Sequence, residues 1–115
     1  MAVTIYHNPR CSKSRQTLAL LQDQGIEPRI VEYLNDTPDA AALDAILKKL
    51  KMEPRELMRR KEAPYKELKL DNPALSRAAL IDAMVANPIL IERPIVTKGA
   101  KVALGRPPEN VLAIL

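Results

Sequence analysis

The order of elements along the chain predicts an α/β fold. A four-stranded mixed sheet is flanked by helices, with a helical insertion between a β-α-β unit and a β-β-α unit. Three observations carry that expectation. β-branched runs bounded by turn residues occur near both ends of the chain, and apolar residues at helical spacing fill the middle. No repeat, low-complexity segment or linker divides the sequence. The 115 residues therefore read as one domain, 1–115, long enough for a single sizeable core.

Val3-Thr4-Ile5-Tyr6 is the first strand. A helix follows over residues 12–24, with Gly25 as its C-terminal stop. Residues 29–34 form the second strand, rich in β-branched side chains. Thr37-Pro38-Asp39 announces a helix with Thr37 as its N-cap, and Leu43, Ile46, Leu47 and Leu50 give it an apolar stripe for core packing. Residues 54–60 read as a short helix, Ala63-Pro64 as a turn and residues 65–68 as one further helical turn. Ser76 caps a helix running to Ala86, and Asn87-Pro88 ends it. Ile95-Val96-Thr97 and Lys101-Val102-Ala103-Leu104 form a hairpin about Lys98-Gly99. Gly105-Arg106-Pro107-Pro108 opens a last helix that carries Val111, Leu112, Ile114 and Leu115. This order describes a thioredoxin-like fold, its first two strands parallel through a right-handed crossover.

The hydrophobic 47% of the chain is almost wholly aliphatic, because Phe and Trp are absent and the aromatics are Tyr6, Tyr33 and Tyr65. No run approaches the roughly 18 apolar residues of a membrane span, and the first residues lack the apolar core of a signal peptide. A single cysteine forms no internal disulfide, which fits a reducing, cytoplasmic setting. The net charge of +4 favours an anionic ligand. Without a lysine tract, zinc spacing or aromatic stacking motif, nucleic acid is not the expected partner.

Cys11 stands at the seam between the first strand and the first helix. There the unpaired N–H groups of the helix start and the positive end of its dipole favour thiolate. Such positions lower a cysteine pKa from about 8.5 into roughly the 3.5–7.5 range. Arg10, Lys13 and Arg15 add positive charge nearby. Two roles are open to Ser14, which stands where a C-x-x-C motif has its second cysteine: donating to the Cys11 sulfur, or capping the helix. Two are likewise open to His7: supporting the thiolate, or making a backbone hydrogen bond in the loop. One His and one Cys make no metal ligand set.

At this point the residues resemble a known family. His7-Asn8-Pro9-Arg10-Cys11 with Ser14-Arg15, Tyr33-Leu34, Arg59 ahead of Pro64-Tyr65, Glu92-Arg93-Pro94-Ile95-Val96 and Gly105-Arg106-Pro107 occur in a shared order and spacing. Together they resemble the arsenate reductase family, in its glutaredoxin-coupled, thioredoxin-fold branch. Arsenate is a tetrahedral oxyanion, so a site for it needs a nucleophile and several fixed cations. The planar fork of arginine suits that shape better than the point charge of lysine. The resemblance implies that Arg59, Arg93 and Arg106 bind the oxyanion beside Cys11. Helix phase alone does not choose between Arg59 and Arg60. Arg93 and Arg106 each precede a proline, which restricts their backbone. A cis peptide at Arg93-Pro94 is also implied.

The resemblance further implies glutathione/glutaredoxin-dependent reduction of arsenate to arsenite through a Cys11 thiol-arsenate adduct. Glutathione is then a co-substrate, glutaredoxin a protein partner, and no metal, flavin or nicotinamide is bound. Two alternatives share the scaffold. One is a glutathione-linked thiol oxidoreductase of unknown substrate. The other is a non-catalytic regulator that binds a protein partner through its helical insertion, as relatives that contact RNA polymerase do.

Overall fold

Alternation along the first strand decides which side of the sheet is covered. Val3, Ile5 and His7 are buried, whereas Thr4 and Tyr6 between them are only half-buried. The computed structural model describes residues 2–115. Its sheet contains β1 (Val3–His7), β2 (Arg29–Glu32), β3 (Ile95–Lys98) and β4 (Lys101–Leu104) in the order β2-β1-β3-β4. β1 and β2 are parallel, with Ile5 beside Ile30. β3 is antiparallel to both β1 and β4, so Val96 lies opposite Ile5 on one side and Ala103 on the other. This is the four-stranded mixed sheet of a thioredoxin-like fold.

The described chain forms two compact units. One joins the chain up to Asp36 with Arg93–Leu115, and the other is Thr37–Glu92. In the first, α1 (Ser12–Asp23) and a 3₁₀ segment (Pro108–Ile114) flank the sheet. Leu21 of α1 and Val111 of that segment close on Val3, Ile5, Val96 and Ala103 as one apolar cluster. Full burial of such side chains contributes about 1.5–3 kcal/mol each.

The second unit is the helical insertion. It contains α2 (Ala40–Leu50), α3 (Ala63–Glu67), α4 (Arg77–Ala86) and 3₁₀ turns at Pro54–Leu57 and Pro88–Leu90. α4 packs on α2 and on both 3₁₀ turns, and Leu43, Leu47, Leu57, Met84 and Leu90 are fully buried. Met58 and Ile91 form an isolated antiparallel bridge. Across it the Arg59 N–H donates to the Leu90 carbonyl at 2.7 Å and the Glu92 N–H to the Leu57 carbonyl at 2.8 Å. Asp44 joins α2 to α4 through Arg77 at 2.9 Å and also pairs with Lys48 at 3.1 Å. Lys48 first, then Arg77, holds that carboxyl below its ordinary range. Among the described residues no helix is long and apolar enough to cross a membrane.

Several boundaries differ from the sequence reading, each for a local reason. α2 begins at Ala40, because the Asp39 carboxylate rather than Thr37 caps it, accepting from the Ala42 N–H at 2.8 Å. β2 ends at Glu32, where the Asn35 and Asp36 N–H groups turn back onto the Glu32 carbonyl. The expected helix over 54–60 stops at Leu57, because Met58 is drawn into the bridge with Ile91. Ala63-Pro64 starts α3 instead of forming a turn, with Pro64 in the first helical turn. The hairpin turns at residues 99–100, and Gly99 supplies a φ of 59°. The last helix is 3₁₀ throughout, not α.

α1 and α2 end alike with different residues. After α1, Gly25 adopts a φ of 76°, and the Ile26 N–H reaches the Leu21 carbonyl at 3.0 Å. After α2 the same left-handed place is held by Lys51, φ 57°, while the Met52 N–H reaches the Leu47 carbonyl at 3.1 Å. A side chain is strained there. In chemical denaturation Lys51→Gly should raise stability by up to about 1 kcal/mol, and Gly25→Ala should lower it by about 1 kcal/mol. A Lys51→Gly protein less stable than the wild type would contradict this account.

Candidate active site

The loop between β1 and α1 is built from its own polar groups. The Cys11 N–H donates to the Asn8 carbonyl at 3.0 Å, closing a turn, and the Arg15 N–H donates to the Cys11 carbonyl at 3.0 Å, starting the helix. Cys11 is thus the N-cap residue of α1, with extended backbone. The Asn8 Oδ1 accepts from the Arg10 N–H at 3.0 Å, an Asx turn that fixes the entry to the cysteine. Arg15 reaches back over the loop, its Nη1 2.9 Å from the Pro9 carbonyl.

Ser14 is completely buried. Its hydroxyl accepts from the Asn8 N–H at 3.0 Å and lies 2.5 Å from His7 Nδ1. It therefore ties the end of β1 to the first turn of α1, a role outside the two that the sequence left open. The Ser14 backbone N–H acts on Cys11 instead. Burial pushes the Cys11 thiol up, but the net direction is down. The Ser14 N–H, the Arg93 guanidinium by hydrogen bond and by charge, and the Lys13 N–H together outweigh burial. Cys11 remains partly exposed. His7 is buried, and burial first, with a smaller push from Arg15 against the pull of Glu32, lowers its pKa below 6.5. The ring contacts the Ser14 hydroxyl rather than the sulfur or a loop backbone group.

Arg93 and Arg106 flank β3 and β4. Arg93 is half-buried, its Nε and Nη1 shielded from solvent. Arg106 is exposed, and its Nη1 donates to the Arg93 carbonyl at 3.3 Å. The Arg93-Pro94 peptide is cis, as the resemblance implied, and so is Arg106-Pro107. Arg59 belongs to the Thr37–Glu92 unit, where its Nε lies 3.6 Å from the Glu62 carboxylate. Arg60 is exposed there and donates to the Arg55 carbonyl at 3.3 Å. Among the described residues no three His, Cys, Asp or Glu gather as a metal site requires. Asn8 is the residue that sequence reasoning passed over. Its signal was present, since an Asn two residues before a turn N–H commonly forms an Asx turn.

The site is therefore a partly exposed cysteine at a helix start, its pKa lowered by helix N–H groups and by an arginine, on a thioredoxin-like scaffold. The ArsC family model matches residues 6–114, and the chain belongs to that family. It is 53% identical to an arsenate reductase of Haemophilus influenzae, over all of both chains. The uncharacterized protein YfgD of Escherichia coli K12 is 59% identical, over 98% of this chain and 96% of its own length. The solved arsenate reductase of Vibrio cholerae superposes with a TM-score of 0.96 at 52% identity, covering 100% of this chain and 98% of that one.

Three outcomes follow from this geometry. The rate of Cys11 alkylation should show an inflection below the free-thiol value of about 8.5, whereas an inflection at or above it would mean that the helix start and Arg93 do not activate the sulfur. Because the folded state favours thiolate, the stability it contributes is fully present above the unfolded pKa and lost as pH falls through the lowered one. His7 has the same sign, since its folded pKa is also depressed: its contribution declines as pH falls below 6.5. Ser14→Ala, which strands a buried Asn8 N–H, should cost about 1–3 kcal/mol, measured by denaturant unfolding. No change in stability would show that the bridge holds nothing.

Proposed function

We propose that the protein reduces arsenate to arsenite in the cytoplasm, using glutathione and glutaredoxin as the source of electrons. The observation that carries this reading is the partly exposed Cys11, whose pKa is lowered by α1 and by Arg93, in a chain that matches a named arsenate reductase over its whole length. Cys11 thiolate attacks arsenic and a hydroxyl leaves as water after protonation, giving a thiol-arsenate adduct with arsenic still pentavalent. Arg93 and Arg106 neutralise the oxyanion, and Arg59 is the third cation of this proposal. A glutathione thiol then takes the place of a second hydroxyl, which leaves as water. The sulfurs of Cys11 and glutathione now both sit on arsenic, and they couple as their bonds to it break. Arsenic takes up two electrons as two thiols become a disulfide, and arsenite departs trivalent. Glutaredoxin returns Cys11 to the thiol.

One cysteine cannot resolve its own adduct as an internal disulfide, and Ser14 does not ionise at neutral pH. External thiol is therefore obligatory. In a steady-state assay, the protein with arsenate alone should give no multiple turnover, and glutathione together with glutaredoxin should restore it. Cys11→Ser should abolish turnover. Arg93→Lys and Arg106→Lys keep the charge but lose the fork, and each should lower kcat/KM by roughly 10-fold or more. Wild-type kcat/KM in both lysine variants would refute the arginine clamp. Sustained arsenite production by Cys11→Ser would refute the mechanism. A protein that never reduces arsenate with the full donor system would instead act as a thiol oxidoreductase or a partner-binding regulator.

A further inference from the structure

Gly105 takes no part in the chemistry above, yet no side chain fits there. A Cβ at this position would lie 2.7 Å from Thr17 Oγ1, 3.1 Å from Thr17 Cγ2 and 2.8 Å from Pro94 Cγ. All are far shorter than a relaxed carbon contact. The positive-φ glycines are Gly25 and Gly99, so at Gly105 it is space, not backbone conformation, that requires glycine.

What closes in that space is the frame of the site. The Gly105 N–H donates to the Pro94 carbonyl at 2.9 Å. The residue before Pro94 is Arg93, and the residue after Gly105 is Arg106, whose guanidinium bonds the Arg93 carbonyl. Thr17 lies on α1 and donates to the Lys13 carbonyl at 2.9 Å, so it is fixed to the turn whose N–H groups face Cys11. We propose that Gly105 is a positioning residue. Its missing side chain lets the Arg93-Pro94 and Arg106-Pro107 segments close on Thr17, which sets how near both guanidinium groups come to the Cys11 sulfur.

The test compares Gly105→Ala, Thr17→Ala and the double variant by the pH dependence of Cys11 alkylation. That readout reports the charge beside the sulfur and needs no substrate. Gly105→Ala should push the arginine segments off α1 and raise the inflection by about half a pH unit or more, a part of what an adjacent cation supplies. Thr17→Ala alone should leave it at the wild-type value. In the double variant the clash with Thr17 is gone and that with Pro94 remains. Its inflection should fall back toward, but stay above, that of Thr17→Ala. A merely structural role would lower the melting temperature of Gly105→Ala and leave its inflection unmoved, and that result overturns the proposal. If Gly105→Ala does not fold, the double variant is read against Thr17→Ala, and equal inflections overturn it.

A second readout rests on the proposed function: the kcat/KM of Gly105→Ala for arsenate should fall roughly 10-fold, chiefly through KM. The two failures are distinguishable. A wild type inactive on arsenate, with Gly105→Ala still raising the inflection, sinks the function and keeps the positioning role. An active wild type with Gly105→Ala unchanged in both readouts does the reverse.

Discussion

The Ser14 hydroxyl, shared between the Asn8 N–H and the His7 ring, is the contact on which the rest of the site depends. It is completely buried and joins the last residue of β1 to the first turn of α1. With both ends pinned, the intervening loop holds Cys11 where the N–H groups of Lys13 and Ser14 meet its sulfur. The thiolate is favoured because the fold has already paid for orienting those donors. A neutral His7 suits this arrangement, since a cation at the buried end of β1 would face Arg15 without adequate solvation.

Charge around Cys11 comes in two kinds. Partial charges come from the N–H groups of Lys13 and Ser14, which move only if α1 moves. Full charge comes from Arg93, which sits where the chain enters β3 and whose carbonyl accepts from Arg106 at the exit of β4. β3 is the antiparallel neighbour of β1. The same register that buries Val96 beside Ile5 therefore brings the start of β3 alongside the end of β1, where the cysteine loop begins. Core packing and site assembly are in this sense one constraint.

Most of this architecture was legible because it is local. β-branched runs, Gly25, Ser76 and the prolines mark elements by short-range chemistry, and the family motifs carried Cys11, Arg93 and Arg106. Tertiary competition explains what was not legible. Met58 leaves its helix for a bridge to Ile91, a partner 33 residues away that no local pattern shows. Asp39 outcompetes Thr37 as a cap because both stand in a suitable place and only the fold chooses. The role of Ser14 was missed for a similar reason. A serine three residues after a cysteine invites a reading in terms of that cysteine, whereas its hydroxyl points back to the strand before it. Gly105 gave no signal of its own, since the atoms that crowd it belong to α1 and to Pro94.

The central claim is that chemistry occurs on the Cys11 sulfur. Intact-protein mass spectrometry after incubation with arsenate and no thiol, followed by peptide mapping, tests it most directly. The account predicts one arsenic-bearing adduct per chain, carried by the peptide that contains Cys11, and its discharge when glutathione and glutaredoxin are added. A protein that turns over arsenate with those donors while the adduct maps to another residue would contradict the account.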